Sequence, residues 1–305
     1  MIRATLVVGD GWDWERLRPF VDAAPEAGLR LSVVVTGVAL PARAGAAVRE
    51  ITACGLPVRT VAMFDERVGR LRLSEAVSRA VKGMTTVFAR LRPARVVTYG
   101  APAVAFAGQA AAVACGAAGV HITAAGEEAS RFARAAARLA RRLVPGPLFV
   151  PGAEAAPDDF VLAVLNPWEC ERPRRMLNFA AEALSEADRP AVVVCGRGDA
   201  AALRRLRRLK DLTLHKTLPY GRLVELLERS RALLTDTSLA ALEGPAAGVP
   251  VIGVSGRRDP EDARAALAAA LRRPTGTRHS VAVKWDAAAA CRAIRAPVRR
   301  AVTFL

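Results

Sequence analysis

The chain has 305 residues, enough for two compact domains, and carries 45 Lys and Arg against 29 Asp and Glu, a formal net charge of +16. The basic runs Arg138–Arg142 and Arg204–Arg208 lack interleaved aromatic residues, so we interpret them as solvated helix faces and expect no nucleic-acid partner. Five isolated cysteines, without CxxC pairs or a histidine at metal-ligand spacing, predict a reduced chain with neither a disulfide framework nor a metal site. We find no signal-peptide pattern and no apolar run suited to a bilayer, so we expect a cytoplasmic protein without a membrane span.

Strand and helix patterns alternate through the first 145 residues. A turn at Gly9–Gly11 and a helix through Ala24 follow the first strand. The predicted strands are Ile2–Val8, Leu29–Val38, Val58–Met63, Arg95–Tyr99 and Gly119–Thr123. The later predicted helices are Ala42–Cys54, Leu73–Leu91, Ala103–Cys115 and Glu127–Arg142. This alternation favours an α/β domain built on a parallel sheet that is covered on both faces.

A segment rich in proline and glycine then interrupts the pattern. We predict a linker over residues 146–159 that contains one short strand, Leu148–Val150. The linker divides the chain into an N-terminal domain, 1–145, and a C-terminal domain, 160–305, whose last helix is a candidate to cross back to the first domain. A ligand would be enclosed in a cleft between the two domains.

The second half repeats the alternation. Its predicted strands are Phe160–Leu165, Ala191–Cys195, Leu212–Leu214, Ala232–Thr235, a strand that restarts at Val249–Val251, and Ser280–Val283. Its predicted helices are Arg172–Ala187, Asp199–Lys210, Tyr220–Ser230, Pro260–Arg272 and Ala287–Arg295, with a further short helix after Thr237.

The segment Leu233–Val254 is the most informative part of the chain. Asp236, Thr237 and Ser238 stand where a helix would begin after a buried strand, and Glu243 lies six residues beyond Thr237. Free N–H groups and the helix dipole at such a turn attract phosphate, and α/β proteins hold nucleotides there. The segment therefore predicts a nucleotide or nucleotide-sugar site, with an ordinary capped helix as the alternative.

Several segments together resemble the UDP-N-acetylglucosamine 2-epimerase family. The strongest match is to its Leu-Thr-Asp-Ser-Gly-Gly-Ile-Gln-Glu-Glu-Ala-Pro pattern. The residues that fit it in register are Leu234, Thr235, Asp236, Thr237, Glu243 and Pro245. Leu218-Pro219-Tyr220 is similar to the family's uracil-contacting loop, and Gly9, Arg16 and Pro19 have the spacing of its first strand–helix turn.

The resemblance implies the glycosyltransferase-B architecture, in which two Rossmann-like domains face each other across a cleft that holds the nucleotide sugar. It also implies that Thr237 contacts the diphosphate and Glu243 the ribose of UDP. Ser238, Tyr220 and Arg16 complete the UDP-binding residues that we predict. No cofactor is expected, because the UDP-sugar is the substrate.

The chain departs from the family where epimerase chemistry would occur. Ala101 and Thr123 replace expected carboxylates, and Asn166 replaces an expected histidine. The remaining candidate catalytic carboxylates are Glu127, Glu128 and Glu169.

Transfer of a sugar needs chiefly stabilisation of the leaving UDP and orientation of the acceptor. We therefore expect a UDP-sugar-dependent glycosyltransferase of a specialised bacterial pathway, with UDP-GlcNAc as a candidate donor, an unidentified small-molecule acceptor, and a homodimer as a candidate assembly. The alternatives are a divergent UDP-GlcNAc 2-epimerase and a non-catalytic protein that binds nucleotide sugars or a partner.

Overall fold

The computed structural model describes residues 1–37, 46–64, 73–123, 131–155, 158–167, 170, 172–195, 200–237, 243–254, 260–273 and 276–297. Within these ranges the strands are β1 (Ile2–Val8), β2 (Leu29–Val35), β3 (Val58–Thr60), β4 (Arg95–Thr98), β5 (Ala118–Thr123), β6 (Arg142–Pro145), β7 (Leu148–Ala155), β8 (Val161–Leu165), β9 (Ala191–Cys195), β10 (Leu212–His215), β11 (Ala232–Thr235), β12 (Val251–Gly253) and β13 (Arg278–Lys284). The helices with defined bounds are α1 (Gly11–Ala23), α2 (Ala46–Ala53), α3 (Leu73–Leu91), α4 (Pro102–Ala114), α5 (Arg131–Leu139), α6 (Pro173–Glu186), α7 (Ala200–Leu206), α8 (Tyr220–Arg229), α9 (Pro260–Arg272) and α10 (Ala287–Arg295). No helix in the described ranges is both long enough and apolar enough to cross a membrane.

The chain divides into two compact units. Unit 1 consists of residues 1–147 together with the chain from Trp285 onward, and unit 2 consists of residues 148–284. Unit 2 begins at residue 148 rather than at the predicted 160, and α10, the last helix and the candidate to cross back, belongs to unit 1.

Unit 1 is built on a six-stranded parallel sheet with the order β3-β2-β1-β4-β5-β6, the classic Rossmann order. The central strand β1 is buried over its last five residues, and Val34 and Val96 of its neighbours join the core. Burial on both faces explains why these strands read as continuous apolar runs rather than alternating patterns.

The predicted helix Glu127–Arg142 is wrong at its C-terminal end, where Arg142 begins the edge strand β6. Helix α5 ends at Leu139, and β6 then pairs in parallel with β5, where Val120 faces Arg142. The arginine-rich run has good helix propensity, but hydrogen bonds to the open edge of β5 outweigh that local preference.

The predicted linker, 146–159, contains a strand that begins at the predicted Leu148 but extends five residues beyond the predicted end at Val150. Most of the predicted linker thus forms β7, an eight-residue strand that pairs antiparallel with β13. Leu148 at the start of β7 faces Lys284 at the end of β13, so the two points where the chain passes between the units are neighbours within unit 2. The long-range pairing partner, more than a hundred residues away, gives no signal in the local composition.

Unit 2 has a five-stranded parallel sheet with the order β10-β9-β8-β11-β12. Its core is formed by the aliphatic residues of β8, β9 and β11 together with the buried faces of α6 and α9. Strands β8 and β11 are neighbours, with Leu233 facing Leu162 and Thr235 facing Val164. Because the chain runs from β8 toward one edge and from β11 toward the other, a topological switch point lies between them.

The C-terminal segment packs against unit 1. The indole of Trp285 stacks on Phe20 with ring centroids 6.3 Å apart, and its Nε1 donates to Pro145 O at 3.0 Å. Arg95 at the start of β4 and Arg142 at the start of β6 donate to carbonyls at the end of α10. Cationic donors at the C-terminal end of a helix complement its dipole, and so they stabilise α10 in this position.

Candidate functional site

The switch point of unit 2 is closed by a hydrogen bond between the two segments that leave it. Asn166 follows β8 directly, and Asp236 follows β11. The backbone N–H of Asn166 donates to Oδ1 of Asp236 at 2.8 Å. Ligands of open parallel sheets bind outside the carboxyl ends of the strands at such a point.

Two threonines fix the path of the chain beyond β11. The hydroxyl of Thr235 is buried and donates to Val164 O at 2.8 Å. The backbone N–H of Thr237 donates to the Thr235 hydroxyl oxygen at 3.0 Å, and the two hydroxyl oxygens lie 3.0 Å apart. The Thr237 side chain is thereby held at the carboxyl edge of the sheet, where a phosphate ligand would need its donors.

The environment of Asp236 disfavours its charged form. Burial raises the pKa of Asp236 to about 6, although the N–H of Asn166 opposes that shift. The same region affects Cys195 at the end of β9, because burial and the charge of Asp236 raise the pKa of its thiol to about 12. A carboxylate held in such a place at a switch point is typical of functional sites.

Tyr220 and Glu243 come together from two separate segments of unit 2. Tyr220 is the first residue of α8, after Pro219, and Glu243 is the first described residue of the helical segment 243–246. The phenol of Tyr220 donates to Oε1 of Glu243 at 2.7 Å. Glu243 is only 1% exposed, and a glutamate is rarely buried to this extent unless its carboxyl has a partner.

Unit 1 has its own switch point, between β1 and β4. Asp10 caps α1 by accepting from the N–H of Trp12, and burial raises the pKa of its carboxyl. Asp13 and Arg16 are both buried in α1, with Nη1 of Arg16 3.8 Å from Oδ1 of Asp13. Gly100, at φ +57°, follows β4, and a Cβ there would collide with the Asp13 carboxylate.

Comparison with known proteins shows which fold these two units form. No family model and no curated protein sequence matches the chain. A UDP-GlcNAc 2-epimerase of Methanocaldococcus jannaschii, solved with UDP-GlcNAc and UDP, matches 92% of this chain and 95% of its own, at 13% identity and a TM-score of 0.66. The chain has the fold of the UDP-GlcNAc 2-epimerases.

Two further solved structures agree with this assignment. S. aureus MnaA, solved with UDP, matches 88% of this chain and 87% of its own, at 15% identity and a TM-score of 0.63. A Neisseria meningitidis UDP-GlcNAc 2-epimerase bound to UDP-GlcNAc matches 88% and 90%, at 13% identity and a TM-score of 0.61. The predicted α/β fold class with two Rossmann-like sheets is therefore confirmed.

The predicted binding residues fall into three groups. Thr237, Glu243 and Tyr220 all lie in unit 2, and the structure brings the last two into direct contact. Arg16 lies in unit 1, buried beside Asp13. Ser238 is outside the described residues. Their roles toward UDP remain predictions.

The predicted catalytic residues cannot be placed in the same way. Glu127, Glu128 and Glu169 all lie outside the described residues. In the described ranges, no three His, Cys, Asp or Glu side chains gather as metal ligands, and the expectation of a metal-independent protein stays a prediction.

The sequence did not single out two of the groups that shape the site. In the sequence, Thr235 is one residue of the family pattern matched by Leu234–Pro245, and Asn166 stands where the family has a histidine. A hydroxyl at the last position of a buried strand, followed two residues later by a second hydroxyl, is the signal that could have identified Thr235.

Proposed function

We propose that this protein binds a UDP-sugar, with the nucleotide at the carboxyl edge of the unit 2 sheet. The observation that carries the proposal is the hydrogen bond between Tyr220 and Glu243. These residues are 23 positions apart. The family resemblance implies contact with the same nucleotide for both, Tyr220 with the uracil and Glu243 with the ribose. Solved structures of the same fold contain UDP or UDP-GlcNAc, which supports the same class of ligand here.

The chemistry of each group suits its proposed role. The Glu243 carboxylate is an acceptor, and ribose hydroxyls are donors, so their hydrogen bonds are charge-assisted. The phenol of Tyr220 orients that carboxylate and provides an aromatic face beside the base. The hydroxyl and N–H groups around Thr237 suit the diphosphate, whose charge a helix N-terminus would favour.

We further propose that the reaction is transfer of the sugar from UDP to an acceptor. The acceptor nucleophile forms a new bond to C1 of the sugar, and the C1–O bond to UDP breaks. UDP leaves with the electron pair, and the acceptor proton passes to a base, for which Glu127, Glu128 and Glu169 are the candidates. Stabilisation of the leaving diphosphate would then be the main task of the unit 2 site.

The ends of two strands in unit 1 favour transfer over epimerisation. Epimerisation at C2 removes and returns a weakly acidic proton, which requires positioned acids and bases. Ala101 follows β4 and Thr123 ends β5, and neither can ionise where the resemblance expects carboxylates. The Thr123 hydroxyl instead donates to Val144 O at 3.4 Å.

A divergent UDP-GlcNAc 2-epimerase is the second candidate, because the three similar solved structures include two that carry that name. The two reactions leave different products. UDP release that depends on an added acceptor supports transfer, and deuterium incorporated at C2 of the sugar in D₂O supports epimerisation and overturns transfer. Tight binding with no turnover of any donor supports a non-catalytic nucleotide-sugar-binding protein.

Calorimetric titration with UDP and UDP-GlcNAc tests the binding site itself. We expect E243Q to weaken UDP binding by about 10- to 100-fold, because a hydrogen bond to a charged group contributes about 1.5–3 kcal/mol. The matched control is E182Q, which changes a partly exposed glutamate of α6 that pairs with Arg205. Absence of UDP binding by the unmodified protein, or equal affinity in E243Q, would remove this assignment.

A further inference from the structure

A buried arginine joins the C-terminal ends of two helical segments of unit 2. Arg278 is the first residue of β13 and is only 3% exposed. Its guanidinium donates to four backbone carbonyls, Ser230 O at 3.1 Å, Arg231 O at 3.1 Å, Gly248 O at 2.6 Å and Gly276 O at 3.4 Å. These bonds use four of the five N–H donors of the side chain.

Three of the four acceptors lie just beyond the ends of helices. Ser230 is the residue after α8, and Arg231 follows it. Gly248 closes the helical segment in which Glu243 is the first described residue, and its N–H donates to Pro245 O at 3.0 Å. Carbonyls at a helix C-terminus carry partial negative charge, so one cation stabilises both helix ends at once.

The same two helical segments carry the contact described above. Tyr220 begins α8, roughly 14 Å from the end of that helix by the rise per residue. Glu243 is the first described residue of the other segment, and its carbonyl accepts from Ala247 N at 3.0 Å. Both side chains of the hydrogen-bonded pair therefore depend on the position of a helix that Arg278 holds.

Neighbouring residues of β13 reinforce this connection. The N–H of His279 donates to Ala247 O at 3.1 Å, and the N–H of Val281 donates to Oε1 of Glu228 in α8 at 2.7 Å. Gly248, at φ +70°, has no room for a side chain, because a Cβ there would lie 2.6 Å from Thr277 O. The start of β13 is thus packed directly against both helices.

We propose that Arg278 is a positioning residue that sets the distance between Tyr220 and Glu243 and thereby the affinity of the site for the ribose of a UDP-sugar. This inference rests on the proposed function for the identity of the ligand, but the geometric step does not require a ligand. A lysine at this position keeps the charge but has three donors on a single nitrogen, so it cannot reproduce the four bonds that the guanidinium makes.

The geometric step can be measured without a ligand by ¹⁹F NMR of the full chain labelled with 3-fluorotyrosine. The chain has two tyrosines, Tyr99 in unit 1 and Tyr220 in unit 2. We expect R278K to move the Tyr220 resonance toward its position in E243Q while the Tyr99 resonance stays unchanged. An unmoved Tyr220 resonance in a folded R278K protein would overturn the inference.

A matched control separates positioning from general helix capping. Nη2 of Arg231 donates to Leu271 O at 3.1 Å and to Arg273 O at 2.5 Å, at the end of α9. R231K therefore loses a comparable cap on a helix that carries no predicted site residue. It should leave the Tyr220 resonance and the UDP affinity unchanged. Equal effects of R231K and R278K would indicate a purely structural role and overturn the inference.

Calorimetry with UDP then tests the consequence for binding. We expect R278K to weaken UDP binding about tenfold alone but less than about threefold in a Y220F background, because residues that act through one another are not additive. Additive losses would overturn the inference. Absence of UDP binding by the unmodified protein would overturn the proposed function instead, and the ¹⁹F result would still decide the geometric step.

A milder variant covers the case in which R278K does not fold. E228A removes the acceptor for Val281 N–H and loosens the attachment of β13 to α8 without altering the buried guanidinium. The Tyr220 resonance should move in the same direction as expected for R278K, by a smaller amount. An unchanged resonance in E228A would contradict the link between β13 and the Tyr220–Glu243 pair.

Discussion

Replacing Asp236 by asparagine should make unit 2 more stable near neutral pH and leave its stability in acid unchanged. The asparagine oxygen can still accept the hydrogen bond that Asp236 Oδ1 receives from Asn166 N. The substitution thus keeps the contact across the switch point and removes the charge that burial disfavours. The neutral variant consequently avoids an energetic cost that the unmodified protein bears whenever Asp236 is ionised.

The sign and size of the effect follow from the raised pKa. The pKa is 3.8 for an ordinary aspartate and about 6 in the folded protein, so the folded state binds a proton more tightly than the unfolded state. The stability that proton binding by Asp236 contributes is fully present below pH 3.8 and is lost as the pH rises through about 6. A difference of about two pKa units sets a ceiling of about 3 kcal/mol on the gain in D236N near pH 7.

Urea unfolding followed by the ¹⁹F signal of 3-fluorotyrosine measures this gain, because Tyr220 reports on unit 2 and Tyr99 on unit 1. The free-energy difference between D236N and the unmodified protein should grow between pH 4 and pH 7 in the Tyr220 transition only. The control D262N changes an exposed carboxyl in the first turn of α9. A difference that is constant with pH, or equal in D262N, would refute the reasoning.

Two further predictions concern stability. G248A should lower the free energy of unfolding by at least about 1–2 kcal/mol, because φ is +70° and the new Cβ would lie 2.6 Å from Thr277 O. G221A in α8 has open space for its Cβ and should raise the free energy of unfolding by a few tenths to about 1 kcal/mol. Urea unfolding of both variants checks the pair, and a G248A protein as stable as G221A would contradict the described geometry. Q109A should cost about 1–3 kcal/mol, since Nε2 of buried Gln109 donates to Thr98 Oγ1 at 2.8 Å. The Tyr99 transition is the appropriate signal, and an unchanged midpoint would show that this bond adds nothing.

The sequence was most informative where local pattern and tertiary structure agree. Strands such as Ile2–Val8 and Ala232–Thr235, and helices such as Leu73–Leu91 and Pro260–Arg272, have the predicted bounds. Buried parallel strands combine apolar runs with short turns, so their signal is strong and local. The strand β6 was missed because its existence depends on the free edge of β5, which no local window contains.

The candidate site was predictable as separate residues and not as a geometry. Thr237, Glu243 and Tyr220 were found from a local motif and a resemblance, but the contact between the last two depends on how two helices pack. Arg278 gave no signal, because one more arginine in a chain with 45 basic residues is unremarkable in the sequence. Only the four carbonyls around its guanidinium distinguish it from the exposed arginines.

The way in which unit 2 is inserted into unit 1 affects the order of folding during synthesis. Unit 2 is one continuous stretch, 148–284, whereas unit 1 needs both residues 1–147 and the chain from Trp285 onward. A ribosome therefore finishes unit 2 first, even though it starts with unit 1. Until Trp285 has been synthesised, Phe20 in unit 1 lacks the indole that stacks on it in the finished protein. This order is the reverse of the usual one, in which the N-terminal domain is completed first.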